Sequence, residues 1–469
     1  MTVAEVRGVL EQAGAPEVSP ERLGEWMLDQ RWYAGKAREL GHVAVLDAVP
    51  LADGEEPLLL LIVEVRAPAG THELYQVPAG VSRDGAREQA TICEHEGATL
   101  YDALADERQT AVLGRMIARA AFVRAGESSV SFLPARTLEL GAGASARRID
   151  SDQSNSSVVL ADRYILKAFR RIEAGINPEL EMLSFLTAHG FENVAEVEGS
   201  YAYHGELLDA SLGIMQRYVP DATDGWKLAT AALERGDGGE LLDPLWELGA
   251  VTGRMHSTLA ADPEDPEFAP EEPADELLAL LTATIDEQIE RLFVELPDRP
   301  ELQPISGRGE ELRDRLALLS HNGVGGRLIR THGDYHLGQA MLGGDSWVVI
   351  DFEGEPGRPL RERRRKRSPL RDVAGMLRSF SYASLAGEVL HGTPASADWE
   401  RGARAAFLDG YMAEIDPALL PAGSQTIAKQ LGMFELEKLL YELRYELENR
   451  PRWLSVPVAG IVRLLEEET

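Results

Sequence analysis

Followed in order, the apolar and polar positions of this chain change period along its length. Residues 23–29 repeat apolar side chains at helical spacing, and three stretches at 43–51, 57–65 and 72–77, punctuated by Gly and Pro, predict strands. Residues 91–113 are polar and mixed, and 115–124 predict a helix. Two short apolar runs, 156–160 and 164–169, are separated by Ala161-Asp162-Arg163, the spacing of a hairpin with a compact turn. Behind them an amphipathic helix is expected over 179–189, with Leu180, Leu183 and Leu186 on one face, Asn177 as its N-cap and Pro178 at its first position. From about 223 onward the period is mostly helical, over 242–260, 275–296, 309–321, 399–415 and 424–449. The break is a loop over 331–371 that carries one short strand, 347–352. Residues 262–273 (DPEDPEFAPEEP) read as an exposed, acidic connection, and no repeat appears at solenoid or propeller periods.

A β-rich half followed by a helical half predicts a bilobal α+β chain in three parts: a cap over 1–110, an intermediate lobe over 111–222 and a helical lobe over 223–469. Its ligand is expected in the cleft between lobes. The 469 residues carry a formal charge of −31, which argues against nucleic acid or an anionic membrane as partner, because phosphates repel such a surface. A single cysteine, Cys93, excludes an intramolecular disulfide and a zinc site built on cysteines. The first residues show neither a basic segment nor an apolar core of a secretory signal, and no apolar run approaches membrane-spanning length, so a cytoplasmic location is expected.

The chemistry concentrates in Arg330-Thr-His-Gly-Asp334-Tyr-His-Leu-Gly-Gln339 and Val348-Val-Ile-Asp351-Phe-Glu-Gly-Glu355. Phosphoryl transfer needs one carboxylate to orient the attacking hydroxyl and another to hold a metal ion against the phosphates, with an amide oxygen completing a hard oxygen shell. Asp334, Asp351 and Gln339 supply that set, with an apolar strand expected to end in Asp351. His332 and His336 are four apart, but Gly333-Asp334 between them suits a helix poorly and no Glu follows the first His, so a zincin-type pair is not expected.

At these residues the chain resembles the kinase fold of aminoglycoside phosphotransferases, with an extra N-terminal cap. More narrowly, Gln30-Arg-Trp-Tyr-Ala-Gly-Lys36, Gln153-Ser-Asn-Ser-Ser157, Asp351-Phe-Glu-Gly-Glu-Pro356, Ser368-Pro-Leu-Arg-Asp-Val-Ala-Gly-Met376 and Asn449-Arg-Pro-Arg-Trp453 resemble the actinobacterial maltokinases and glucosamine kinases. The resemblance implies ATP as donor and Mg2+ as cofactor. It implies Asp334 as base, Gln339 and Asp351 as metal ligands, and Lys167 as the lysine on the phosphates, with Glu179 its expected ion-pair partner and Glu181 the fallback. Ser154, Asn155 and Ser156, in a loop without glycine, are expected over the phosphates, and Gln216 and Tyr218 near the adenine, in the link between lobes.

The acceptor is expected to be a small sugar or amino sugar read by the helical lobe. Tyr441 and Tyr445 share one helical face and Glu442 and Glu446 the adjacent one, followed by Asn449 and Trp453; His336 is a further candidate for substrate contact. A desolvated amino-sugar ammonium needs a carboxylate, which this helix offers, whereas maltose asks for aromatic faces and neutral donors. Lys366, in the run of eight basic residues over 358–371, looks more like the glucosamine kinases, and the expectation leans to glucosamine with maltose as alternative. That run is expected to organise the acidic 351–355 segment or the substrate mouth. A nucleotide-binding protein without turnover and an aminoglycoside-resistance kinase are the remaining readings. Oligomeric state is left as monomer or homodimer.

Overall fold

The computed structural model describes residues 3–33, 41–68, 70, 72–83, 90–141, 143–149, 154–206, 208–274, 276–320, 325–344, 346–355, 357–392 and 396–466. It divides into two compact units, one formed by Met1–Ser184 and Ala195–Pro220, the other by Phe185–Val194 and Asp221–Thr469.

In the first unit, helices α1 (Val3–Gln12) and α2 (Pro20–Asp29) precede strands β1 (His42–Ala52), β2 (Leu58–Arg66), β3 (His72–Ser82), β4 (Thr91–His95) and β5 (Ala98–Asp102). These strands form an antiparallel sheet in the order β1-β2-β3-β5-β4. The run Leu58 to Val63 is buried on both faces of that sheet, so it reads as continuous apolar rather than alternating. One face packs with Leu23, Met27, Trp32 and Tyr33. The other shares a core with α3 (Glu107–Ala118) and a second sheet, through Leu60, Ile62, Leu113, Phe132 and Leu166.

The second sheet is built from β6 (Phe122–Ala125), β7 (Ser128–Pro134), β8 (Ala146–Ile149), β9 (Ser156–Leu160), β10 (Tyr164–Ala168), β12 (Val197–His204) and β13 (Asp209–Arg217), in the order β6-β7-β12-β13-β10-β9-β8. Between β10 and β12 lie the short strand β11 (Arg171–Ile172), which crosses to pair with β3, and helix α4 (Pro178–Ala188). Both sheets share one core within this unit, which the chain leaves for Phe185–Val194 and finally at Pro220. The helix expected at 115–124 begins earlier, where Asp106 accepts a hydrogen bond from the Arg108 N–H, and it ends at Ala118 before the β6–β7 hairpin.

The second unit is mostly helical: β14 (Thr223–Asp224), α5 (Gly225–Arg235), α6 (Leu242–Leu259), α7 (Leu277–Val294), α8 (Gly309–Leu319), β15 (Ala340–Gly343), β16 (Ser346–Val349), α9 (Leu360–Arg363), α10 (Leu370–His391), α11 (Ala397–Glu414), α12 (Ser424–Asn449) and α13 (Ser455–Glu466). Helix α10 escapes the sequence pattern because it is buried nearly all round, leaving no polar stripe to mark its period. Helices α6 and α11 meet backbone to backbone at glycines: a Cβ on Gly249 would lie 2.0 Å from the Phe407 carbonyl oxygen, and one on Gly410 1.9 Å from that of Trp246. That approach sets His256 of α6 against Tyr411 of α11, the start of the support beneath the loop that carries Asp334. Among the described residues, no helix is long and apolar enough to cross a membrane.

Candidate active site

The first unit presents a buried lysine. The β9–β10 hairpin turns through Ala161 and Asp162, both at positive φ (53° and 48°), and the Arg163 N–H closes the turn on the Leu160 carbonyl at 3.0 Å. This register places Lys167 on β10, opposite Ser157 on one side and Ile214 on the other. Its Nζ lies 2.7 Å from Glu179 Oε2, with the two side chains 9% and 2% exposed. Glu179 sits in the first turn of α4, where Asn177 Oδ1 accepts its N–H at 2.8 Å. The structure thus brings Glu179 to Lys167.

Two residues expected at the nucleotide also take part in this framework. Gln216 donates to Glu179 Oε1 at 3.3 Å, so its side chain orients the ion pair. The Ser156 hydroxyl accepts a hydrogen bond from Arg170 Nε at 2.7 Å; Arg170 also holds Asp102 at 2.5 Å and lies over the Trp32 ring, so this hydroxyl is committed inside the unit. Asn155 donates to Ser154 Oγ at 3.1 Å, and the Tyr218 N–H donates to the Arg163 carbonyl. Residues 151–153 of the expected phosphate loop, 34–36 of the QRWYAGK motif and Pro356 lie outside the described residues.

In the second unit the loop that carries Asp334 hangs from Asp372, a buried carboxylate near the start of α10. Asp372 accepts the His332 N–H at 2.7 Å and the Gly333 N–H at 2.9 Å, and its Oδ2 lies 3.2 Å from His256 Nε2. Burial alone would raise this carboxyl, but the hydrogen bond and charge of His256, with His332 and the Gly333 N–H, hold it below the usual carboxylate range. His332 Nε2 donates to the Ile350 carbonyl at 2.9 Å while its Nδ1 accepts from the Asp334 N–H at 3.4 Å, so this ring orders the loop and is no metal ligand. Asp372 and His256 were missed from sequence; the SPLRDVAGM motif around Asp372 was the available signal.

Strand β16 ends at Val349, so Asp351 does not end a strand; it stands two residues beyond, at φ +64°, left-handed backbone that an Asp adopts at a cost. This turn brings its carboxylate to Gln339, whose amide donates to Asp351 Oδ2 at 3.0 Å. A carboxylate and an amide oxygen together are the hard donors that Mg2+ takes, so these residues fit the ion. Burial lowers the His336 pKa, and its Nδ1 accepts the Gly338 N–H at 3.1 Å; it does not line the cavity described next.

Asp334 opens into a cavity of about 720 Å³, formed within the second unit. Lys438 of α12 reaches Asp334 Oδ1 at 3.5 Å and lies 5.2 Å from the Tyr441 ring. Burial opposes the Lys438 charge, but Asp334, Glu355 and Glu442 outweigh it and raise the pKa, so the ammonium stays charged. Lys438 was not expected from sequence, although it lies three residues before Tyr441 on the same helical face. Tyr441 lines the cavity and stacks on Tyr445 with ring centroids 6.3 Å apart. The neighbouring face turns away. Glu442 is buried against Arg378 at 2.9 Å, and Glu446, 1% exposed, is held by Arg450 at 2.6 Å and Tyr382. Asn449 donates to the Tyr445 carbonyl, and Trp453 packs against Tyr382 and Trp226. Of the carboxylates expected for an ammonium, Glu442 and Glu446 are therefore occupied. Glu448, the third carboxylate that this helix offers, does line the cavity, as does Glu295, each without an ion-pair partner among the described residues.

The basic run divides its work. Arg358 pairs with Glu355, and Arg363 donates to the Glu353 carbonyl, so both brace the acidic segment after Asp351. Arg364 and Lys366 bind Glu267 and Glu271 and tie down the acidic connection instead. Lys366 therefore anchors the acidic connection.

A loop presenting Asp334 on a helical unit, a carboxylate–amide pair that fits a cation and a buried Lys–Glu pair on a β unit are the parts expected of a kinase-type phosphotransferase. Residues 145–403, more than half of the chain, match the model of the phosphotransferase enzyme family, and the chain belongs to that family. Residues 26–106 match the maltokinase N-terminal cap domain. A glucosamine kinase of Mycolicibacterium smegmatis is 28% identical over 338 residues, 69% of this chain and 80% of that relative. One from Streptacidiphilus jiangxiensis is 27% identical over 336 residues, 68% of this chain and 74% of the relative. A solved structure of a glucosamine kinase in complex with glucosamine, ADP and inorganic phosphate shares the fold with TM-score 0.68 at 20% identity, covering 96% of this chain and 99% of that one. Another, in crystal form B, gives 0.70 at 22% identity, over 92% and 96%.

Proposed function

We propose that this chain is an ATP-dependent kinase that phosphorylates glucosamine to glucosamine 6-phosphate. The observation that carries the reading is Asp334, presented by a loop clamped on Asp372 and opening into a cavity with room for a sugar. The glucosamine kinases to which the chain is similar supply the acceptor. ATP is the donor in this reading, and the enzyme works in the cytoplasm. Lys167, held by Glu179 and Gln216, binds the phosphates. Gln339 and Asp351 would hold Mg2+, which neutralises phosphate charge when bound. Asp334 orients the sugar hydroxyl and accepts its proton as the new oxygen–phosphorus bond forms in line with the breaking bond to ADP. Lys438 keeps that carboxylate in place, and Glu295 or Glu448 meets the ammonium of the amino sugar.

A second reading, a maltokinase making maltose 1-phosphate, is favoured by two observations: the cap-domain match and the exposed Tyr441–Tyr445 stack beside carboxylates already engaged. ADP release with Mg-ATP and, in parallel, glucosamine, maltose, glucose, kanamycin and no acceptor separates the readings. Turnover with glucosamine is expected. Turnover with maltose alone would establish the second reading, and nucleotide binding without any turnover would make the chain a non-catalytic member of its family.

A further inference from the structure

The cavity at Asp334 contains a guanidinium that no carboxylate among the described residues holds in an ion pair. Arg367 lines it, half-buried, and its backbone is fixed by a pair of hydrogen bonds with Ile329 (2.9 and 2.7 Å), just ahead of the catalytic loop. Five more arginines line the same cavity; of these Arg358 is engaged with Glu355, Arg371 with Glu437 at 2.7 Å, Arg291 with Glu287 at 2.7 Å and Arg363 with the Glu353 carbonyl, while Arg444 is exposed. Arg367 has no carboxylate partner among the described residues. Burial, with the charges of Arg371 and Arg358, brings its pKa down to about 10, and Glu437 and Glu355 offset only part of this. Its guanidinium is still charged at neutral pH, and holding it there among like charges is unfavourable until an anion arrives. The planar fork of an arginine matches the oxygens of a phosphate, and neighbouring guanidinium groups add charge without new geometry.

We propose that Arg367, supported by Arg358 and Arg371, is a binding subsite for a phosphate monoester on the acceptor side of Asp334. The phosphorylated sugar then stays in the cavity that held its precursor and competes with the next acceptor. At about 720 Å³ the cavity has room for a phosphoryl group beside one sugar ring. The inference rests on the proposed kinase reading for the identity of the sugar, but not for the anion.

Calorimetric titration of the full chain without nucleotide, using glucosamine 6-phosphate, glucosamine and inorganic phosphate as probes, tests it. The sugar phosphate should bind about tenfold or more tightly than either other probe, and Arg367→Gln should weaken it by about tenfold or more. Arg367→Lys, which keeps the charge, should lose less, and glucosamine should respond to neither change by more than about threefold. Sugar-phosphate affinity equal in wild type and Arg367→Gln would overturn the subsite, as would inorganic phosphate binding as tightly as the ester. If glucosamine neither binds nor turns over while inorganic phosphate binds in an Arg367-dependent way, the acceptor assignment falls and the anion subsite stands. If glucosamine turns over and the Arg367 variants leave sugar-phosphate affinity unmoved, the reverse holds.

Discussion

Two lysine–carboxylate pairs, one in each unit, illustrate two uses of the same chemistry. Lys167 and Glu179 are 2.7 Å apart and almost wholly buried, with Gln216 on the second carboxylate oxygen. Lys438 and Asp334 are 3.5 Å apart, about a quarter exposed, and open to a cavity. A tight buried pair fixes geometry, because removing either partner leaves a charge stranded in a low-dielectric site. A looser, more exposed pair contributes little to stability and leaves the carboxylate able to exchange its partner. The first is built to stay closed and the second to open.

Replacing each carboxylate by its amide breaks the comparison most forcefully. Asp334→Asn should lower turnover by about 10³-fold while nucleotide affinity and stability hardly change, since a general base contributes about 10²–10⁴. Glu179→Gln should instead destabilise the fold by about 3–5 kcal/mol, the cost of breaking a buried ion pair by removing one partner. Steady-state kinetics, nucleotide titration and denaturant unfolding of both variants decide the matter. A turnover above about a tenth of wild type in Asp334→Asn would remove it from the base role.

The same contrast explains what could be read from sequence. His332, Asp334, Gln339 and Asp351 lie within twenty residues of one another and act through short-range turns, so their spacing announces them. Lys167 and Glu179 are also legible, because a hairpin and an N-capped helix carry both. Helix α12 was misread because it is buried on more than one side: Glu442 answers Arg378 from 64 residues away, a pairing that local periodicity does not encode. The α10 helix hid for a related reason, having no polar stripe. Even so, Lys438 was legible in principle, since it shares the helical face of Tyr441 and Tyr445.

Removing only the cation of the open pair sharpens the comparison with a smaller effect. In Lys438→Met, Asp334 loses its companion but keeps the loop bonds to Asp372, so turnover should fall about tenfold, or about 1.4 kcal/mol of transition-state stabilisation. Stability should move by less than about 1 kcal/mol, because the pair is partly exposed. Measured kcat and acceptor KM within twofold of wild type would make Lys438 a bystander at the cavity wall.

The smallest effect tests whether the loop beside the open pair resists acid. Burial lowers the His336 pKa below its unfolded value of about 6.5. In that window the unfolded chain binds more protons than the folded one, so this group's contribution is fully present above about pH 6.5 and is lost as pH falls toward the folded pKa. One group limits the slope to about 1.4 kcal/mol per pH unit. His336→Asn keeps a side-chain acceptor for the Gly338 N–H but cannot titrate, so its stability should fall less steeply than wild type below pH 6.5. Denaturant unfolding of both chains between pH 5 and 8 reads the difference, and parallel curves would show that His336 charges without opposing the fold.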